Sequence, residues 1–222
     1  MASTAPNPTT EDYVKRIYKL QRHGETVSTS ALAASLSVAD ASVTGMVKKL
    51  SAKGLVRYQR YRGVELTASG LRVALKTLRR HRLWEMFLVQ QLGFSWDKIH
   101  VEAERLEHAT SDELEHRLDK LLGFPRVDPH GDPIPDAHGV VAGETAMPLT
   151  SCETGDRVSI RRVSDASAGT LQHAAELGLH PGCLLEIVRN RQERGQVGVV
   201  IGLRRLVVSR KIAAAVFVTR ED

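Results

Sequence analysis

Cysteine is nearly absent from this 222-residue chain: there are two, Cys152 and Cys183, far apart and outside any C-x-x-C pattern. That excludes a disulfide framework and a thiolate zinc site, and both read as free thiols of a reducing compartment. Long apolar runs are missing too; none approaches the roughly 20 residues that a membrane-spanning helix needs. The opening stretch MASTAPNPTTED has neither the charged nor the apolar region of a signal peptide, so a cytoplasmic location is expected, with no membrane partner. The sequence also lacks H-E-x-x-H, G-x-S-x-G and a P-loop, which argues against zincin proteases, nucleophile-elbow hydrolases and P-loop nucleotide enzymes.

What is present is an uneven distribution of charge. The net charge is +5, but residues 1–80 hold 14 Lys and Arg against 5 Asp and Glu, and residues 81–150 hold 6 against 13. Six of the nine histidines (81, 100, 108, 116, 130 and 138) also fall in that acidic middle segment. A basic unit suits a polyanion, and an acidic, histidine-rich one suits a cation.

Local patterns divide the chain further. A helix is predicted from Thr9 or Thr10, with Glu11 and Asp12 in its first turn, to a stop at His23-Gly24. Two short helices follow, Thr29 to Leu36 and Asp40 to Leu50, joined by a tight turn at Ser37 to Ala39, with Asp40 read as the cap of the second. A hairpin of Leu55 to Gln59 and Val64 to Thr67 completes a winged helix-turn-helix. From Thr67 to Leu92, Leu71, Leu75, Leu78, Leu83, Phe87 and Leu88 recur at near-helical intervals, and Gly93 is a natural stop. Ser95 to Ala109 and Ser111 to Leu122 read as two more helices opened by serine caps, a candidate dimerisation unit. Prolines 125, 129, 133, 135 and 148 among Gly131, Gly139 and Gly143 suggest a linker. Apolar β-rich runs at 158–163, 184–188, 198–203, 205–208 and 215–219 then suggest a small SH3-like barrel. The expected class is mainly α with a small β part: a winged helix over 1–72, a helical metal-binding and dimerisation domain over 73–143 with a linker from about 124, and an SH3-like domain over 144–222.

The sharpest chemical signal is His100-x-x-x-Glu104-x-x-Glu107-His108, whose spacings put donors on adjoining parts of one helix face. His81 and Glu85 add a His and a Glu at i, i+4 on the preceding helix. Imidazole and carboxylate without thiolate suit Mn²⁺, Fe²⁺ or Zn²⁺. The same pattern is also that of a solvated acidic helix face, and Asp12 is equally a first-turn acid facing the helix dipole. A carboxylate-bridged di-metal enzyme would need Glu-x-x-His on two helices, and only Glu113-x-x-His116 has that form. On the basic side, the Asp40 helix offers Ser42 and Thr44, short side chains able to approach base edges, then Lys48 and Lys49. Arg60 and Arg62 lie on the wing, where phosphate contacts are expected.

These motifs carry a resemblance. Thr10-Glu-Asp-Tyr13 with Ile17-Tyr18, Ser42-Val-Thr44, Tyr61-Arg-Gly63 with Leu66-Thr67, His81-Arg-Leu with Glu85, and Glu104-x-x-Glu107-His108 occur in the order found in the iron- and manganese-dependent repressors of the diphtheria toxin repressor and manganese transport regulator family. The chain resembles that family over about residues 9–220. The resemblance implies a homodimer that binds operator double-stranded DNA when divalent metal is present, with Ala39, Ala41, Ser42, Thr44, Lys48, Lys49, Arg60 and Arg62 facing the DNA. It places Asp12, Glu104, Glu107 and His108 at a regulatory metal site, and His81, Glu85 and His100 at a neighbouring one. Asp165 stands where longer members donate a carboxylate to that second site, Ala168 where they have an amide, and Asp128 and His130 where some manganese-type members have ligands. Iron-type members have Met at Asp12 and Cys at Glu104; hard oxygen at both positions favours Mn²⁺. The short manganese regulators carry a Glu where this chain has Lys15, which argues against their bridged two-metal geometry. The expected function is a manganese-responsive repressor of metal-homeostasis genes. An Fe²⁺-responsive regulator is the alternative, and Co²⁺, Zn²⁺ or Cd²⁺ are expected to substitute in vitro.

Overall fold

The computed structural model describes residues 6–21, 25–143, 145–165, 167–191 and 195–221. They form two compact units, one of Met1–His81, Arg105–Asp112 and Pro135–Val140, the other of Arg82–Glu104, Glu113–Ile134 and Val141–Asp222.

The first unit begins with α1 (Pro8–Leu20), one residue earlier than its acidic turn suggests, because Asn7 is the cap: its side chain accepts from the Thr10 amide at 3.0 Å, and Pro8 supplies a preset first turn. The expected stop at His23-Gly24 lies outside the described residues. Tyr13, Val14 and Ile17, spaced along one face, are buried with Leu32 and Ala33 of α2 (Thr29–Leu36) and Val43, Val47 and Leu50 of α3 (Asp40–Ala52). Ser28 caps α2 through the Ala31 amide, and Ser37, in the left-handed region at φ 55°, turns the chain so that α2 and α3 meet at 111°. That is the helix-turn-helix angle. One expectation fails here: Asp40 is the first residue of α3 and not its cap, which is Ala39, a residue with no side-chain acceptor.

Strands β1 (Val56–Gln59) and β2 (Gly63–Leu66) pair antiparallel as the wing, and Val64 also bridges to Val27. Helix α4 (Ala68–Leu92) starts where the Thr67 hydroxyl accepts from the Gly70 amide at 3.1 Å. Gly70 has to be glycine: a Cβ there would stand 1.9 Å from the Leu55 carbonyl oxygen. The start of the long helix is therefore pressed directly against the foot of the wing. Each fully buried Leu or Val in this core contributes about 1.5–3 kcal/mol.

In the second unit, the later part of α4, α5 (Trp96–Glu107) and α6 (Asp112–Leu121) bury Leu83 with Leu118 and Ile134, and Leu88 with Ile99 and Ala103. A six-stranded antiparallel sheet, in the order β3-β8-β4-β5-β6-β7, is built from β3 (Met147–Pro148), β4 (Arg157–Val163), β5 (Leu184–Arg191), β6 (Gln196–Ile201), β7 (Arg204–Ser209) and β8 (Val216–Arg220). Register breaks at Ile160/Arg162 and Ile187/Arg189 bend it in the manner of a small barrel, as expected of an SH3-like domain. Two short helices, α7 (Ala168–Glu176) and α8 (Arg210–Ala215), were not foreseen. Val158, Ile160, Leu171, Leu179, Ile187, Val199 and Val216 lie in its core.

Proline and glycine content made 124–148 read as a linker. Its first part is instead ordered and buried, with Asp128, His130, Asp132 and Ile134 each less than one-tenth exposed. Prolines here stiffen a packed loop rather than an open one.

Candidate metal centre and nucleic-acid interface

In the first unit, α1 and the end of α5 bring Asp12, Glu107 and His108 together, with one ligand atom from each within 4.8 Å of the others. The His108 imidazole lies between two carboxylates: Nδ1 is 2.6 Å from Glu11 Oε2, and Nε2 is 3.0 Å from Asp12 Oδ1 and 3.4 Å from Glu107 Oε1. Glu107 is fully buried and uses both oxygens, one accepting from Lys15 Nζ at 2.5 Å and the other meeting His81 Nδ1 at 2.6 Å. Burial pushes the Glu107 carboxyl up, but the hydrogen bonds and charges of His81 and Lys15 outweigh it and hold its pKa below the ordinary value of 4.5. The donor set is oxygen and nitrogen only, and its carboxylates converge around one imidazole with a lysine ammonium already drawn among them. The residues fit a hard divalent cation.

Sequence spacing put His81 with Glu85, one turn further along α4, and His81 Nδ1 also meets Glu107 at 2.6 Å. Glu104 meets His100 at 3.5 Å across one turn of α5, and His100 meets Glu85 at 3.3 Å. A second carboxylate and imidazole group therefore forms in the second unit, and His130 lies near it. Burial is the largest influence on His130 and lowers its pKa, opposed by the charges of Glu85, Asp165 and Asp132. His130 is 1% exposed, yet both its ring nitrogens lack a hydrogen-bond partner among the described residues. A buried imidazole with no partner, surrounded by negative charge, fits a cation ligand.

The loop that carries His130 is held tightly. Asp128 Oδ1 accepts from the amides of His130 and Asp132, both at 2.9 Å, while its other oxygen meets Arg82 Nε at 3.3 Å. Arg82 also donates to the Pro133 carbonyl. The His130 carbonyl accepts from the Val163 amide at 2.8 Å, and Trp96 meets the His130 ring edge-on at 4.8 Å. Gly131, at φ 90°, lies so close to β4 that a Cβ would stand 2.0 Å from the Arg161 carbonyl oxygen. Asp128 thus spends its oxygens on the turn and on Arg82. Burial, then the charges of Glu85 and Asp132, raise its pKa well above 3.8. Asp165 is half-buried just after β4.

On the basic side, Ala39 at the cap of α3 and Ala41, Ser42, Lys48 and Lys49 on α3 are exposed, as are Arg60 and Arg62 on the wing. Thr44 is half-buried, and its hydroxyl donates to the Asp40 carbonyl at 3.0 Å. Arg60 stacks over Tyr61. Sequence reasoning missed the contacts of Glu11, Arg82 and Trp96; nothing in helical spacing distinguishes these from solvated residues.

A winged helix with an exposed basic surface, whose first helix reaches a cluster of hard donors, defines a metal-dependent DNA-binding regulator. The comparisons agree. Residues 7–64 match the iron dependent repressor N-terminal DNA binding domain, 67–136 the iron dependent repressor metal binding and dimerisation domain, and 147–220 the FeoA domain. The chain is similar to the iron-dependent repressor IdeR of Mycobacterium leprae, 35% identical over 68% of this chain and 69% of that protein. A solved manganese-dependent transcriptional repressor in complex with manganese is 39% identical, with a TM-score of 0.88 over 96% of this chain and 100% of that one. ScaR with bound Cd²⁺ is 31% identical, with a TM-score of 0.81 over 97% and 100%. The chain belongs to the diphtheria toxin repressor and manganese transport regulator family of metal-dependent transcriptional repressors. It is a DNA-binding protein with a dimerisation domain and not an enzyme.

Proposed function

We propose that this repressor responds to Mn²⁺ and controls metal-homeostasis genes from the cytoplasm. The observation that carries this reading is the donor set: Asp12, Glu107 and His108 converge without sulfur. Glu104, one turn before His108 on α5, is the fourth donor we assign, and oxygen at positions 12 and 104 favours Mn²⁺ over softer ions. A manganese-bound relative at 39% identity supports the same choice. Cd²⁺, Zn²⁺ and Co²⁺ substitute in vitro on this reading, and Cd²⁺ is bound by the relative ScaR. The competing Fe²⁺-responsive reading is favoured by the name of the mycobacterial relative.

When bound, the cation supplies the positive charge that the Asp12 and Glu107 carboxylates share. The chain does the rest. Asp12 precedes Tyr13 and Val14, which with Ile17 belong to the winged-helix core, so holding Asp12 beside Glu107 and His108 restrains the DNA-binding helices as a body. Preference for the restrained arrangement makes metal and operator binding reciprocal, and about 1–3 kcal/mol of coupling corresponds to a ~5- to 150-fold change in operator affinity. Glu85, His100, His130 and Asp165, with His81 beside Glu85 on α4, form the second metal set, and Asp128 holds the His130 turn. Ala39, Ala41, Ser42 and Thr44 meet base edges, and Lys48, Lys49, Arg60 and Arg62 the phosphates. Exposed Leu114 and Leu121, seven residues apart on α6, and Phe124 after it support a homodimer through this part of the domain spanning 73–143.

The test is a binding titration with operator DNA recovered by in vitro selection, across Mn²⁺, Fe²⁺, Co²⁺ and Zn²⁺, for the natural chain and for Asp12→Met and Glu104→Cys. Mn²⁺ should activate the natural chain best, and the two substitutions should move the preference toward Fe²⁺. Identical operator affinity with and without Mn²⁺ would refute the proposal.

A further inference from the structure

A metal-binding histidine uses one ring nitrogen, and the partner of the other sets its tautomer and aims its lone pair. The surroundings of His108 are asymmetric in this respect. Its Nε2 faces the two carboxylates that converge with it, Asp12 at 3.0 Å and Glu107 at 3.4 Å. Its Nδ1 faces Glu11 at 2.6 Å, on the other side of the ring from that cluster. The Glu11 side chain is only 13% exposed and that of His108 15%, so the contact is largely shielded from water. Successive residues of a helix point about 100° apart. Glu11 and Asp12, adjacent in the first turn of α1, therefore reach His108 from its two edges.

From this we infer that Glu11 is a positioning residue of the metal centre: its carboxylate accepts from His108 Nδ1–H, which leaves Nε2 as the lone pair beside Asp12 and Glu107. The inference rests on the reading of Asp12, Glu107 and His108 as metal ligands. A first-turn acid that merely offsets the helix dipole would not need an imidazole 97 residues away in sequence. Two adjacent residues of α1 thus hold one histidine, one as a fellow ligand and one by aiming it. The same turn that delivers a ligand from the DNA-binding domain also prepares the ligand of α5 to receive the ion.

The test uses the full chain with Glu11→Gln, which keeps the size of the side chain but replaces the anionic acceptor with an amide. Mn²⁺ affinity is read from the electron paramagnetic resonance signal of free Mn²⁺, and the His108 tautomer from side-chain ¹⁵N spectra of the Zn²⁺-loaded protein. Expected are a ~10- to 100-fold weaker Mn²⁺ affinity and a displaced His108 Nδ1 resonance, as a charge-assisted hydrogen bond becomes a neutral one. An affinity within about twofold of the natural chain overturns the inference. So does a weaker affinity with an unchanged His108 spectrum, since Glu11 would then act only through charge or folding. Asp12→Ala, measured in parallel, separates the two levels. If it binds Mn²⁺ as the natural chain does, the ligand assignment itself fails; if it loses binding while Glu11→Gln does not, only the role of Glu11 fails.

Discussion

Lys15→Gln removes the lysine ammonium that pairs with Glu107 in the metal cluster. Lys15 is 4% exposed and Glu107 fully buried, and their ion pair at 2.5 Å leaves only His81 on the other Glu107 oxygen. Breaking a buried pair by removing one partner costs about 3–5 kcal/mol, and the surviving His81 contact argues for the lower end, about 3 kcal/mol. For a protein of this size that corresponds to a melting temperature roughly 6–12 °C lower, measured with a chelator present. With saturating Mn²⁺ the two proteins should melt close together, because the ion restores the positive charge beside Glu107. The thermodynamic cycle then requires the variant to bind Mn²⁺ more tightly by about the same 3 kcal/mol, on the order of 100-fold. Calorimetric melts with chelator and with Mn²⁺, together with a chelator-competition titration, measure every leg. Equal melting temperatures in chelator, or a Mn²⁺ affinity unchanged or weakened in the variant, would refute the reasoning that Lys15 competes with the ion.

Three further outcomes are expected. His130→Leu removes a buried ring whose two nitrogens have no hydrogen-bond partner among the described residues, so the metal-free protein should be no less stable and gain up to about 1–3 kcal/mol, while Mn²⁺ stoichiometry measured by equilibrium dialysis falls by one ion per chain. Leu121→Asp places a charge on a residue that is 62% exposed, and sedimentation should show a dimer for the natural chain and a monomer for the variant. For pH, the depressed pKa of Glu107 means that its contribution to stability is fully present above its ordinary value of 4.5 and is lost as pH falls through the lower folded value. Chelator-treated melts of the natural chain should therefore weaken on acidification below that point. In Lys15→Gln, which lacks one of the charges that hold the folded pKa down, the acid loss should be smaller and complete at a higher pH.

Most secondary structure was legible in the sequence because it is encoded locally. The Leu71, Leu75, Leu78 spacing shows a long helix, and α4 spans 68–92; the Thr29–Leu36 and Asp40–Ala52 pair follows from apolar spacing broken at Ser37. Local signals failed where a residue has two equivalent local uses. Asp40 is a good cap by type, but Ala39 holds the cap position. The prolines of 125–135 fit a linker by composition, yet Asp128 ties them into a turn docked on β4 through His130 and Gly131.

The metal centre divides along the same line. Helical spacing alone put the donors of Glu104, Glu107 and His108 on adjoining parts of one helix face at the end of α5, and the family motif added Asp12. Only tertiary packing decided that Asp12 and His108, 96 residues apart, share a cluster, that Lys15 reaches Glu107 across 92 residues, and that Glu11 holds the other edge of the same imidazole. Spacing sets which residues share a helix face, because the backbone repeat does. Which faces meet depends on burying Tyr13, Val14 and Ile17 of α1, a balance of apolar area and chain entropy over the whole unit.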